Sequence, residues 1–154
     1  MEETVFRDRL ATVMQRLADE LGPAATIRRD GAVWTIQPAR ATASPLWIFG
    51  DPWSLTVGFG RASARIELGD SSKTTADQEL EELEAICRAV VAGRLVERRS
   101  GRDGSRWWLT FGDGSVMHGS ANWLLPALPW VQVDEEHFAA YTDPPGQSDA
   151  SDLP

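Results

Sequence analysis

Cysteine is nearly absent from this chain: Cys87 stands alone in 154 residues. One thiol cannot close an internal disulfide, so a disulfide-framed secreted scaffold is excluded. Histidine occurs only at positions 118 and 137. With so few candidate ligands, no Cys/His cluster reaches the spacing that a zinc site needs. Lysine occurs once, at Lys73, and no glycine run precedes it as in a phosphate-binding loop. No Gly-x-Ser-x-Gly elbow is present either. These absences lead us to expect no metal and no cofactor. The chain also lacks any apolar stretch near the roughly 18–20 residues of a membrane span. Its start, Met1-Glu2-Glu3-Thr4, is acidic where a signal peptide carries positive charge and then an apolar run. The expected location is the cytoplasm.

What is abundant is acid, arginine and tryptophan. There are 23 Asp and Glu against 15 Lys and Arg, for a formal net charge of −8. Such a balance repels phosphate backbones, which disfavours nucleic acid as a partner, and it suits a protein partner with a basic surface. The seven tryptophans are a surplus of the residue type that, with arginine, is most enriched at binding hot spots.

Two apolar helical stripes stand out. Phe6, Leu10, Val13, Met14, Leu17 and Leu21 recur at helical spacing over 2–21, and Gly22-Pro23 stops them. Leu80, Leu83, Ile86, Cys87, Val90 and Val91 do the same over 76–92, closed by Gly93. Thr75 with Gln78 resembles a capping box. On the second stripe Cys87 reads as a packed thiol rather than a nucleophile.

Between and after the stripes the period changes to two. Asp30-Gly31 reads as a two-residue hairpin turn pairing Ile27 with Trp34 and Ala25 with Ile36. Leu46–Phe49, 53–59 and 64–68 read as three strands of a meander, with Leu46–Phe49 buried. Leu95–Ser100 and Ser105–Phe111 flank Gly101–Gly104, and Asp113-Gly114 returns the chain toward Val116. The expected class is therefore α+β: an antiparallel sheet of about six to eight strands with two helices packed on one face. Residues 1–142 form the expected single domain. Within it Asp134 is expected to cap a short helix through Tyr141, with the acidic run Asp134-Glu135-Glu136-His137 exposed. From Asp143 onward Pro, Gly, Ser and Asp dominate, and 143–154 reads as a disordered acidic tail.

Three function classes follow. The first is a non-catalytic protein-binding module, with Glu81 and Glu84 on the outer side of the second helix and Trp108, Trp123 and Trp130 as candidate contacts. The second is a small-molecule binder or enzyme whose pocket is lined by Arg98, Trp107 and His118, if a tight turn puts all three on one sheet face. The third is an Arg/Trp hairpin over 98–108 that binds nucleic acid. The first is favoured, since no catalytic constellation is legible.

The segment Ala89-Val90-Val91-Ala92-Gly93-Arg94-Leu95-Val96-Glu97-Arg98 together with Gly112-Asp113-Gly114-Ser115 resembles small acidic bacterial proteins of the immunity type from polymorphic toxin systems. The resemblance covers about a third of the chain and carries no functional motif. It implies an inhibitor that plugs one partner protein, and it transfers no residue role.

The composition of the tail generates a first test. Removing 144–154 should leave the thermal midpoint unchanged, because Pro, Gly and Ser there cannot offset the entropy of ordering.

Overall fold

Helix α1 (Glu3–Leu21) forms where the first apolar stripe recurs, and all six residues of that stripe are buried. Helix α2 (Ala76–Val91) follows the second stripe: Leu80, Leu83, Ile86, Cys87 and Val90 are buried and Val91 half-buried. In the computed structural model, residues 3–51, 54–60, 64–68, 76–100, 104–121 and 133–143 are described. The expected tail from 144 onward, and Trp53, Trp123 and Trp130, lie outside them. Asp143, assigned to the tail by composition, is ion-paired with Arg40.

The class is α+β, as expected, but the strands divide into two antiparallel sheets. Strands β1 (Ala25–Asp30), β2 (Val33–Pro38), β3 (Leu46–Asp51), β4 (Ser54–Phe59) and β5 (Ala64–Leu68) form a meander in sequence order. Strands β6 (Leu95–Ser100), β7 (Gly104–Thr110), β8 (Val116–Ala121) and β9 (Val133–His137) form the second sheet, in the order β8-β7-β6-β9. Helix α1 packs on β1 and β3, while α2 reaches β4 and β7. The helices thus cover the inner faces of both sheets, and one continuous apolar cluster runs through all the layers.

Three local expectations are corrected. The first hairpin turns at Gly31-Ala32, with Asp30 opposite Val33 and Ile27 opposite Ile36. A slip of two leaves faces unchanged, so Ile27, Trp34 and Ile36 still point toward the core. In β3 Leu46 and Ile48 are buried, while Phe49 is 43% exposed. This is the alternation of a strand covered on one side. The expected helix from Asp134 is β9, antiparallel to β6. Its acidic run faces arginines there: Glu135 pairs with Arg98, and Glu136 lies 3.6 Å from Arg99. Cross-strand pairing of that kind overrides the helical preference of glutamate.

The chain after β9 ties the sheets together. Ala139 N–H donates to the Thr42 carbonyl at 3.0 Å and bridges Ala43 in parallel fashion. Phe138 and Tyr141 are buried, and the Tyr141 hydroxyl donates to the Ser44 carbonyl. Helix α2 ends in paired C-terminal bonds: Gly93 N–H to the Val90 carbonyl and Arg94 N–H to that of Ala89. Gly93 has φ +71, and a Cβ there would strike the Ala140 backbone, so only glycine fits both demands.

Leu83 is fully buried at the centre of α2. Leu83→Ala should cost roughly 2–5 kcal/mol in denaturant unfolding, through lost transfer energy and the cavity left behind. A loss below about 0.5 kcal/mol would show that this stripe does not face the core.

Candidate interaction face

Period-two alternation sorts the second sheet into two unlike faces. Leu95, Glu97, Trp107 and Leu109 point inward and are buried. Val96, Arg98, Arg106, Trp108 and His118 point outward. The inner face turns Trp107 edge-on to Phe59, with ring centroids 5.1 Å apart and planes at 88°, a favoured aromatic geometry. The Trp107 indole also lies across Gly119 of β8, where a Cβ would collide with it.

The expected pocket does not assemble as a unit, because Trp107 and His118 fall on opposite faces. The cause is the β7–β8 turn. Phe111 N–H donates to the Ser115 carbonyl at 2.8 Å, and Gly114 N–H donates to the Phe111 carbonyl at 3.1 Å. Gly114 has φ +85. This is a three-residue loop with a bulged glycine, not the two-residue turn that Asp-Gly suggests. Asp113 Oδ1 accepts the Ser115 N–H at 2.9 Å and the Ser115 hydroxyl at 2.6 Å, which favours this form. Thr110 therefore pairs with Val116, and Trp108 rather than Leu109 lies opposite His118.

Arg98 and His118 do share a face, with Trp108 in place of Trp107. A row of cross-strand neighbours runs His137, Val96, Trp108, His118 across all four strands. The next row runs Glu135, Arg98, Arg106, Ser120. Both histidines of the chain thus belong to one row. The Arg98 guanidinium sits over the Trp108 ring, 5.4 Å from its centroid, within cation–π range. Its Nε is paired with Glu135, whose other oxygen is 2.7 Å from His137 Nε2. The Arg98 guanidinium, with help from His137, holds the Glu135 carboxyl below its ordinary value. Between Arg106, Trp108, His118 and Ser120 the surface dips into a shallow hollow of about 340 Å³. Val116 is 53% exposed and Val133 37% exposed on the same face.

The other candidate contacts separate. Glu81 is exposed on α2, but Glu84 is largely covered and lies between two arginines. It is 3.1 Å from Arg16 of α1 and 2.8 Å from Arg88, which also holds Glu20 at 2.8 Å. Glu84 therefore serves a helix–helix ion network rather than an open surface. Burial pushes the Cys87 thiol up to about 12, so it is an inert packed group. Ser105 is buried on the inner face, away from His118. Among the described residues no three acids, histidines or cysteines gather as a metal site. The face offers aromatic area, a stacked cation and hydrogen-bonding edges.

Two contributing residues are named in the sequence reading but placed on the wrong element. Glu135 and His137 sit two apart, the spacing of one strand face, but their acidic neighbours resemble a helix start. The buried Glu97 is signalled only by its place between Leu95 and Arg99 in an alternating strand.

Because Glu135 is depressed in the folded state, its contribution is present above its ordinary value of 4.5. That contribution is lost as pH falls through the lowered value. In Arg98→Ala the Glu135 carboxyl, followed by carbon NMR, should titrate closer to the ordinary value. Unchanged titration would show that the Arg98 pair does not persist in solution.

No family model matches this chain, and comparison with curated proteins and with solved structures finds no match.

Proposed function

We infer that the protein is a non-catalytic module that binds another protein through the outer face of the β8-β7-β6-β9 sheet. The observation that carries this reading is the Arg98–Trp108 stack beside His118, on a face whose Val116 and Val133 are left exposed. Trp and Arg in contact provide large apolar area with directional polar bonds, the usual make-up of an interface anchor. Among the described residues the second sheet has its core partners on the inner face, and the Trp108 indole is not part of that core.

The sharper form of the reading is an immunity-type inhibitor of one partner protein. It is supported by the resemblance of residues 89–98 and 112–115 to such proteins and by the net charge of −8. Glu81 and Glu82 stay exposed on α2 and suit a partner with a basic surface, which they would steer at long range. The hairpin charge gives nucleic acid less support, since Arg98 and Arg99 each face a β9 carboxylate.

Capture from native lysate, followed by kinetics on the recovered partner, tests the reading. Trp108→Ala should leave the thermal midpoint within a degree or two and speed dissociation by roughly tenfold or more, the effect of losing an anchor. Glu81→Arg should act instead on association and flatten its salt dependence. If Trp108→Ala destabilises the fold and spares binding, the indole is a packing residue and the reading falls.

A further inference from the structure

A second concave surface lies away from this face. The C-terminal halves of α1 and α2 and the β7–β8 turn enclose a cleft of about 530 Å³. Leu17, Leu21, Ala89 and Phe111 give it apolar walls. The volume falls within the roughly 300–1,000 Å³ of small-molecule sites. Its rim carries Glu20, Arg88, Arg94 and Asp113.

Three of those four charges are already committed. Arg88 holds Glu20 through both terminal nitrogens, at 2.8 and 2.9 Å, and also holds Glu84. Asp113 accepts two hydrogen bonds from Ser115. Arg94 differs. Its backbone is fixed, with N–H bonded to Ala89 and carbonyl to Thr110. Among the described residues, however, its exposed guanidinium has no ion pair or hydrogen bond. One guanidinium at the mouth of an apolar cleft complements a ligand with one carboxylate and an apolar body.

The surroundings select a single charge. The C-terminal ends of α1 and α2 meet at this cleft and present the negative poles of their dipoles. The Asp113 carboxylate adds to that field, while Glu20 is neutralised by Arg88. A dianion would meet about twice the repulsion that a monoanion does, and a monocarboxylate that keeps its one charge at the rim on Arg94 and its apolar chain inside meets the least of it.

We propose that this cleft binds a small amphipathic monocarboxylate, with the carboxylate on Arg94 and the apolar part against Leu17, Leu21, Ala89 and Phe111. The site does not depend on the sheet face, because Trp108 takes no part in it.

The probe is sodium decanoate below its micellar concentration, titrated into the full-length protein and followed by amide and methyl NMR. Saturable shifts should concentrate at Leu17, Leu21, Ala89, Arg94 and Phe111. Arg94→Ala should weaken binding by roughly tenfold or more, the loss of a charge-assisted contact. Ala85→Trp fills the cleft from an exposed helix position and should abolish the shifts with the thermal midpoint unchanged. Trp108→Ala should bind decanoate as the parent does, which separates this site from the partner face. Decyltrimethylammonium should give no saturable shifts there. Equal binding of the cationic amphiphile, equal binding by Arg94→Ala, or decanoate shifts spread over the whole surface would each overturn the proposal. Failure of decanoate to bind at all would do the same.

Discussion

Phe59 packs directly on Trp107, so one sheet meets the other there without a helix between them, beside the approach of β5 to β7 and β8. Phe59 is fully buried at the end of β4, and Trp107 lies at the centre of β7. Their edge-to-face packing sets which side of β7 is inward. Once Trp107 is fixed, period two makes Ser105 and Leu109 inward and Arg106 and Trp108 outward. The indole also needs a flat floor, which Gly119 supplies, so the β8 register is constrained by the same ring. On the outer face of the first sheet Trp47 lies across Gly58 in the same way. A large ring covering a glycine on the neighbouring strand restores the contact area that glycine lacks.

Two further devices hold the sheets in that relation. The segment after β9 bonds the loop before β3 through Thr42 and Ser44, and it bonds the start of β6 through Leu95. The helices fill the rest of the space, each with its stripe turned inward. Their outer sides are joined by the Arg16–Glu84–Arg88–Glu20 chain of ion pairs. Those exposed pairs add little to stability. They do position the rim of the cleft, because Arg88 and Glu20 neutralise one another there and leave Arg94 as the cation that is not already engaged.

Both helices were legible in the sequence almost residue by residue, since a 3.6-residue period is written locally and needs no partner. The strands were legible as strands, and the class with them. Registers were harder to read. Asp113-Gly114 is compatible with a two-residue or a three-residue turn, and the difference is one residue of register, which exchanges Trp107 for Trp108 beside His118. The division into two sheets is non-local and leaves no periodic trace. The β9 segment shows the same limit: Asp134–His137 has helical composition, and only the arginines of β6, some 36 positions earlier by register, make it a strand. Of the candidate residues, Arg98, Trp108 and His118 are brought together, whereas Glu84 turned out to be structural because its partner Arg16 belongs to another helix.

Adjacent tryptophans thus have opposite roles for a reason of geometry alone. Trp107 and Trp108 have the same chemistry and differ by one step along a strand. The first is closed into a contact that joins the sheets, where loss of its area would be felt by β4 and β8 together. The second stays half-open under Arg98, supported by a guanidinium and by its neighbours in the row rather than by the core. A residue in the first position answers to packing, and a residue in the second is constrained by the fold only loosely. An indole kept at such a loosely constrained position, with a cation laid on it and that cation anchored by Glu135, is an arrangement the core does not require.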